Sequence, residues 1–340
     1  MYLISPSKPQ FKANLHSHTN RSDGRLTAPE MKAAYKNAGY QILAITDHES
    51  PKAYPELTDP DFLMLTGYEV YIRPDPLCRG NVYAPEIHLN LFAKDPLNET
   101  IICFNEASTK YRTPEERALL KKAGSQRQRE YTTEYINEVI QTARENGYLV
   151  SYNHPVWSME SQERVLSYEG CFSLEIMNGG CWIGTGMEYS GELYQKLLLS
   201  GRRMFVHAAD DNHNHHPFDS PYSDSFVAWT MILADKLDYD SVFHAMETGE
   251  MYATMGPTFR EVSFDGEMIH VECSEAETIT CRVGSKEPAI VHAPKGELLT
   301  QADLRLPKGA RYAQISLRDR NGLRADTRGF FRDELGLPPL

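Results

Sequence analysis

The sequence predicts an α/β fold followed by a small antiparallel β domain, and three patterns support this. The first 255 residues alternate short apolar runs with amphipathic stretches, as repeated βα units do. About seven such units occur, which predicts a closed or nearly closed barrel of mostly parallel strands. Residues 258–340 instead alternate apolar and polar residues in short runs, and two of these flank the hairpin signal Asn321-Gly322. We therefore divide the chain into a barrel over residues 1–256 and an all-β domain over residues 257–340.

The individual elements of the barrel follow from the apolar runs and from helix start and stop signals. The predicted strands cover residues 12–17, 41–47, 63–70, 88–93, 148–153, 172–177 and 203–209. The predicted helices cover residues 27–39, 130–146, 188–200 and 238–248. Each of these helices is followed or closed by a glycine, the residue that commonly ends a helix: Gly39, Gly147, Gly201 and Gly249.

Composition and charge exclude several classes of protein. The 340 residues are 41% hydrophobic and 24% charged, as in an ordinary globular protein with a sizeable core. No apolar run reaches the ~20 residues of a membrane helix, and the first residues lack the apolar block of a signal peptide. The net charge of −12 argues against general nucleic-acid binding. The six cysteines contain no C-x-x-C pair, which argues against a thiolate zinc site or a disulfide scaffold. We expect a cytoplasmic protein that does not bind membranes.

Imidazole and carboxylate side chains recur where the predicted strands begin or end. They are His16, His18, Asp23, His48, Glu69, His88, His154, Asp211 and His213. Each fragment alone has an ordinary explanation, such as a core histidine or a solvated acid at a strand end. Because the carboxyl ends of parallel barrel strands share one face, however, these side chains are expected to converge. Such a group is costly to bury unless cations bind to it, so the combined pattern predicts a metal site.

The motifs around these residues resemble those of the PHP (polymerase and histidinol phosphatase) family of metal-dependent phosphoesterases. The motifs are HSHTNRSDG at residues 16–24, ITDH at 45–48, GYE at 67–69, NHP at 153–155 and DDNH at 210–213. The resemblance spans roughly residues 12–255 and implies a distorted (βα)7 TIM-like barrel with a trinuclear metal centre. Asp23, where some members have histidine, resembles the branch that acts on small phosphoesters, and the trailing β domain resembles two-domain members.

The resemblance also implies how the nine ligands are shared among three divalent ions. The first ion would bind His16, His18, Glu69 and Asp211; the second would share Glu69 and add His88 and His154; the third would bind Asp23, His48 and His213. Mixed imidazole and carboxylate ligands suit Zn, Mn or Fe better than Mg alone. We therefore predict three divalent metal ions as cofactors.

Metal ions of this kind make hydroxide available at neutral pH and neutralise charge on phosphoryl oxygens. The predicted function is a phosphohydrolase that cleaves a small phosphate ester by attack of a metal-bridging hydroxide. A nucleotide, a nucleoside bisphosphate or a cyclic phosphodiester would fit. Histidinol-phosphate phosphatase is one alternative. Hydrolysis of a carboxyl ester or carbamate is another, favoured by an apolar mouth where a basic mouth favours phosphate. A metal-binding or proofreading-associated module that serves a partner is the non-enzyme alternative.

Four residues are predicted to act in catalysis. Glu69 and Asp211 would do so as metal ligands. Asp210 could replace its neighbour as a ligand, or protonate the leaving group. His207 is the other candidate acid. Asp47 either orients a ligand imidazole or caps a turn.

Substrate binding requires donors, and the candidates are Arg79, Arg127, Arg129 and Asn153. Two of the arginines belong to the basic segment 110–129, which is either a lid over an anionic substrate or a solvated helix face. The glycine-rich run NGGCWIGTG at 178–186 is read as a flexible substrate-side loop or a plain connection. The partner expected is a small phosphorylated substrate, and the β domain is a candidate surface for docking or for a homo-oligomer.

Overall fold

The computed structural model describes residues 1–74 and 82–340. The strands are β1 (Tyr2–Ile4), β2 (Gln10–Asn14), β3 (Ile42–Ile45), β4 (Leu63–Ile72), β5 (Ile87–Ala93), β6 (Ile101–Ile102), β7 (Lys122–Ala123), β8 (Tyr148–Tyr152), β9 (Ser173–Asn178), β10 (Phe205–Ala209), β11 (Trp229–Leu233), β12 (Met251–Thr254), β13 (Phe259–Phe264), β14 (Met268–Ala276), β15 (Thr278–Arg282), β16 (Ala289–His292), β17 (Leu299–Arg305), β18 (Tyr312–Arg318), β19 (Arg324–Thr327) and β20 (Phe330–Phe331). The α-helices are α1 (Ala28–Asn37), α2 (Pro114–Leu119), α3 (Thr133–Glu145), α4 (Gln162–Ser167), α5 (Gly179–Thr185), α6 (Gly191–Leu199) and α7 (Tyr239–Thr248), and a 3₁₀ helix covers Pro55–Leu57.

One large sheet runs through most of the described chain. Its strand order is β10-β9-β8-β5-β4-β3-β2-β11-β12-β19-β18-β15-β16, and β20 pairs with β18. Strands β2, β3 and β4 pair in parallel, and so do β8, β9 and β10. Strand β5 lies between these two blocks and is antiparallel to both of its neighbours. The predicted parallel strands are therefore present, but as two blocks separated by a reversed strand.

This topology brings the predicted metal ligands to one edge of the sheet. The strands of the two parallel blocks run in the same direction, so their carboxyl ends share an edge. Strand β5 runs the opposite way and therefore begins at that edge. His88, the second residue of β5, thus reaches the same place as His16 and His48, which follow β2 and β3.

The hydrogen-bonded ladder does not close on itself. Among the described strands, β10 forms a ladder with β9 alone. At the edge that carries the ligands, a single parallel bridge joins Ser17 to Asn212, and the amide of His18 donates to the carbonyl of Asn212 at 3.0 Å. The two sides of the sheet therefore approach each other at the site, but the predicted closed (βα)7 barrel is not confirmed.

The predicted helices form because their ends and faces carry the expected residues. Thr27 caps α1 and accepts a hydrogen bond from the amide of Glu30, whose side chain bonds back to Thr27. Helix α3 buries Ile136, Val139 and Ile140, which recur at helical spacing and form one apolar face. The helices predicted over residues 27–39, 130–146, 188–200 and 238–248 are each present with slightly shorter bounds.

The glycine-rich run at 178–186 is a helix rather than a loop, so the prediction of a flexible loop was wrong. Asn178 caps α5 by accepting from the amide of Cys181 at 2.8 Å. A side chain at Gly180 would lie 2.9 Å from the carbonyl oxygen of Asp210. Glycine has a low helix propensity, so the run did not indicate a helix. In the fold, these glycines let the helix approach the backbone beside Asp211.

The C-terminal region is antiparallel, as predicted, and β18 and β19 form the hairpin expected around Asn321-Gly322. Its strands belong to two sheets. β15, β16, β18 and β19 extend the large sheet through the pair β12–β19, whereas β13, β14 and β17 form a second sheet with β1. The hydrophobic core that these strands share also includes Ile4, Leu233 and Tyr252, which lie before the predicted boundary near residue 256. The division near residue 256 stays a prediction.

Two further features concern the described residues as a whole. None of the helices within residues 1–74 and 82–340 has the length and apolar character needed to cross a membrane. Five cysteines in these ranges are buried and free of disulfides: Cys103, Cys171, Cys181, Cys273 and Cys281.

Candidate metal centre

Glu69 lies at the centre of the ligand cluster, where β4 passes between β3 and β5. Its side chain is almost fully buried, and both carboxylate oxygens face imidazoles. Oε1 lies 3.2 Å from Nε2 of His16, 3.0 Å from Nδ1 of His88 and 3.5 Å from Nε2 of His154. Oε2 lies 2.9 Å from Nδ1 of His48. A carboxylate that bridges two metal ions needs further ligand atoms near each of its two oxygens, and Glu69 has imidazole nitrogens near both.

All nine predicted ligands fall into groups whose donor atoms lie within 4.8 Å of one another. The groups are His16, His18 and Glu69; His16, His154 and Asp211; His48, Glu69 and His88; and His18, Asp23, His48 and His213. The set proposed for the third ion is thus present, with His18 added to it. The cluster is deepest at His16 and opens to solvent at Asp23, whose side chain is 32% exposed.

Several donor atoms in the cluster are buried and lack a hydrogen-bond partner among the described residues. They are Oε2 of Glu69, Nδ1 of His48 and Oδ1 of Asp23, and the first two lie 2.9 Å apart without the alignment of a hydrogen bond. Buried polar atoms without partners are rare because each one costs free energy. Since these atoms converge from different strands, the donor set fits bound divalent cations.

The charges within the cluster compensate one another in the protein alone. Burial would raise the pKa of Asp23, but the imidazoles of His48, His18 and His213 outweigh it and lower that pKa to about 2. Burial would lower the pKa of His88, but the carboxylates of Glu69 and Glu86 outweigh it and raise that pKa to about 10. The carboxylates thus remain ionised, and either protons or metal ions must balance them.

Outer contacts orient the ligand imidazoles toward the centre. Nδ1 of His16 lies 3.0 Å from Oε1 of Glu175, so its Nε2 faces the cluster. The same carboxylate accepts from the amide of His154 at 3.0 Å. Nε2 of His88 lies 3.5 Å from Glu86, and its Nδ1 faces Glu69. Carboxylate–histidine pairs of this kind fix the tautomer and raise the basicity of metal ligands.

Replacing Glu175 by glutamine tests this orienting role. We expect the E175Q variant to bind divalent metal about 10–100-fold more weakly, because Glu175 holds both His16 and the backbone of His154. Competition with a chromophoric chelator would measure the affinity, and circular dichroism would check that the fold is retained. Unchanged affinity in a folded variant would remove Glu175 from this role.

Asp47 and Tyr111 organise the outer loop of the cluster. Asp47 accepts from the amide of Thr19 at 2.7 Å and from Oγ of Ser22 at 2.8 Å. Asp47 therefore holds the loop that carries Asp23. This role is closer to the predicted turn cap than to the predicted partner of a ligand imidazole. Tyr111 donates to Oδ2 of Asp23 at 3.0 Å. The basic segment 110–129 thus contributes a tyrosine to the site.

The structure separates the two neighbouring aspartates. Oδ1 of Asp211 lies 3.0 Å from Nε2 of His18, within the cluster. Asp210 is fully buried and accepts from the amides of Val227 and Ala228 and from the hydroxyl of Tyr35. Burial raises the pKa of Asp210 to about 6. Asp210 therefore anchors a loop, and its catalytic role stays a prediction that these contacts do not support.

The surroundings of His207 also do not favour the role of general acid. Its imidazole is fully buried, and Nδ1 lies 3.0 Å from Oγ of Ser173. The other nitrogen is 3.9 Å from Oε1 of Glu175, the same oxygen that lies 3.0 Å from Nδ1 of His16. Burial lowers the pKa of His207 to about 4, so the ring is neutral at physiological pH. The contacts and burial of His207 therefore do not support its predicted role as general acid, which stays a prediction.

The predicted substrate-binding residues have different outcomes. Arg79 lies outside the described residues. Arg127 is at the surface and pairs with Glu130 and Glu138, away from the ligands. Arg129 is buried in an ion pair with Glu49, with Nη2 2.8 Å from Oε2. Both arginines therefore pair with carboxylates of the fold, and their assignment to the substrate stays a prediction that these contacts do not support.

Asn153 does lie in the cluster, where Nδ2 donates to Oε1 of Glu69 at 3.0 Å. This contact holds the central carboxylate, so Asn153 supports a ligand. Arg73 is a cation that the sequence analysis missed. It forms an ion pair with Glu86, the partner of His88.

The residues that the sequence analysis missed differ in whether the sequence contained a signal for them. Glu175 is a lone acid in the apolar run FSLEIM, and a charged residue at a buried strand position could have been recognised as a partner of the site. Arg73 and Tyr111 offered no comparable signal, because only the folded chain brings them to the cluster.

The fold and the converging donors define an α/β protein with a cluster of His, Asp and Glu side chains that could bind metal ions. Residues 14–143 match the PHP domain family. This segment contains the motifs at residues 16–24, 45–48 and 67–69, so the match agrees with the resemblance that these motifs predicted. A comparison with the curated proteins gave no match.

Three solved structures are similar to this chain. A two-domain protein from Bacteroides vulgatus containing a predicted PHP-like metal-dependent phosphoesterase has 12% identity and a TM-score of 0.43, with 94% of this chain and 93% of that one covered. A candidate metal-dependent phosphoesterase from Bifidobacterium adolescentis has 17% identity and a TM-score of 0.36, with 63% and 92% covered. An amidohydrolase from Chromobacterium violaceum with bound sulfate and no metal has 13% identity and a TM-score of 0.37, with 59% and 87% covered. Identities and TM-scores this low carry no argument about the activity of this chain.

Proposed function

We propose that the protein is a phosphohydrolase that cleaves a small phosphate ester with the help of three divalent metal ions. The observation that supports this most strongly is the position of Glu69, whose two oxygens face imidazoles from four different segments. A solitary structural ion would not require donors on both sides of one carboxylate.

The residues divide among the ions much as the family resemblance implies. Nε2 of His16 lies 3.2 Å from Nε2 of His18, 3.2 Å from Glu69 and 3.1 Å from Asp211, which supports one ion among these four side chains. Asp23, His48 and His213 form a group with His18 nearer the opening, which supports another ion. Glu69 and His88 form a further group with His48, and Nε2 of His154 lies 3.5 Å from the Glu69 oxygen that faces His88. Zn, Mn and Fe all suit this mixture of ligands.

When bound, such ions supply an activated water and neutralise the charge on phosphoryl oxygens. The chain's own residues then have three tasks. Glu175 and Glu86 keep the imidazoles correctly oriented. Asn153 fixes the Glu69 carboxylate, and Asp47 holds the loop at the opening. Arg73 forms an ion pair with Glu86, which in turn lies 3.5 Å from His88, so Arg73 helps to hold that carboxylate beside the cluster.

A carboxyl ester or carbamate hydrolase is the second candidate. It is favoured by an apolar cavity next to the cluster, lined in part by Val156, Trp157 and Met187. An apolar surround suits a neutral carbonyl substrate, whereas no dense group of free arginines lies beside the cluster among the described residues.

A substrate screen of the metal-loaded protein would decide between these functions. We expect release of inorganic phosphate from at least one nucleotide, nucleoside bisphosphate, cyclic ester or sugar phosphate, with histidinol phosphate included in the panel. The activity should disappear with a chelator and return with Zn, Mn or Fe. Hydrolysis of 4-nitrophenyl acetate without any phosphate release would instead support the second candidate.

A further inference from the structure

A cavity of about 420 Å³ adjoins the metal-ligand cluster. Its apolar lining includes Val82, Ala84, Val156, Trp157, Met159 and Met187. Trp157 is 40% exposed, Met159 49% and Met187 65%. Large apolar side chains grouped at a surface commonly mark a binding site, because exposing them to water costs free energy.

The cavity and the metal-ligand cluster share the side chain of Trp157 as a common wall. The ring centroid of Trp157 lies 4.9 Å from that of His154 and 5.3 Å from that of His88. The indole is therefore both an edge of the ligand cluster and a wall of the cavity. A substrate whose phosphoryl group lies at the cluster has its remaining part beside this wall.

The wall is held in place by a buried carboxylate. Glu188 accepts from the amide of Trp157 at 2.7 Å and from that of Val156 at 3.2 Å. On the other side, the amide of Glu86 donates to the carbonyl of Ser158 at 3.1 Å. Contacts on both sides make the cavity pre-formed, as ligand sites usually are.

The lining offers little to a charged or heavily hydroxylated group. Arg73 and Glu86 are the charged side chains among the described lining residues, and they form an ion pair with each other. The remaining described lining, apart from Thr185, is apolar. The flat face of Trp157 and the flexible thioethers of Met159 and Met187 suit an aromatic ring.

We propose that this cavity binds an apolar, preferably aromatic, group on the alcohol part of the phosphate ester. The enzyme then prefers aryl or arylalkyl phosphates to small hydrophilic ones. This inference rests on the proposed phosphohydrolase function, which it narrows to a class of substrate.

The first test compares benzyl phosphate with methyl phosphate as substrates of the metal-loaded protein. We expect kcat/KM to be at least about tenfold higher for benzyl phosphate. The M187Q variant should reduce this ratio several-fold, since Met187 lines the cavity but is exposed enough to leave folding intact. The matched control is I290Q on β16, an exposed apolar residue outside the cavity, which should keep the wild-type ratio. Equal kcat/KM for the two esters, or a ratio unaffected by M187Q, would overturn the inference.

The second test measures binding without turnover. Calorimetric titration of the metal-loaded protein with benzylphosphonate and methylphosphonate should show tighter binding of the benzyl compound. If neither ester is hydrolysed but benzylphosphonate binds more tightly, the proposed function fails and the assignment of the cavity stands. If both esters are hydrolysed equally and both phosphonates bind equally, the function stands and the cavity assignment fails. Absence of binding by both phosphonates also overturns the cavity assignment.

Discussion

Replacing Glu69 by glutamine is expected to lower kcat for the phosphate ester by about a thousandfold or more. The amide loses the negative charge and one of the two acceptor oxygens that face His16, His48, His88 and His154. Neighbouring ions can no longer share this ligand, so at least one should be lost from the E69Q protein. Steady-state kinetics and elemental analysis of the same preparation would measure both effects.

A matched control separates loss of the site from loss of a buried carboxylate. Glu160 is also fully buried, but it accepts hydrogen bonds from Tyr131, Tyr152 and Tyr168 outside the cluster. The E160Q variant should be less stable and yet keep its metal and most of its kcat. If E69Q keeps wild-type metal content and turnover, the central role of Glu69 is wrong.

Breaking the buried ion pair between Arg129 and Glu49 should produce the largest change in stability. Both side chains are almost fully buried, and the guanidinium also donates to the carbonyl of Tyr71 at 2.6 Å. The R129M variant leaves the Glu49 carboxylate without compensation. We expect the free energy of unfolding to fall by about 3–5 kcal/mol, measured by urea denaturation at a fixed metal concentration.

The double variant E49Q/R129M provides the control. Removing both charges should restore much of the lost stability, because the cost arises from an unpaired charge in the interior. Glu49 directly follows His48, so the pair also holds one end of the ligand segment. A loss below about 1 kcal/mol in R129M, the range of exposed pairs, would show that the pair is not buried in solution.

The convergence of the nine candidate ligands could be predicted because eight of them lie after or at the start of a recognisable strand and Glu69 lies near the end of one. A strand end is a local signal, and convergence at one edge follows from parallel pairing. His88 lies at the same edge of the sheet as the other candidate ligands, but for a different reason. It opens β5, which is antiparallel, and the sequence pattern contained no sign of that reversal.

The predictions that the fold does not support mostly concern residues whose partners are distant in sequence. Arg129 looked like a free cation because Glu49, its partner, lies eighty positions earlier in the chain. Asp210 and Asp211 are adjacent in sequence and equivalent in chemistry, and only the fold turns one toward Tyr35 and the other toward His18. The helix at Gly179–Thr185 was missed because its glycines serve close packing, which local propensity does not represent.

Anomalous diffraction from crystals grown with Zn or Mn tests the central claim most directly. The account predicts three anomalous peaks: one among His16, His18, Glu69 and Asp211, one beside His88 and His154, and one among Asp23, His48 and His213. Crystals grown with excess metal that show no peak between these side chains would contradict it.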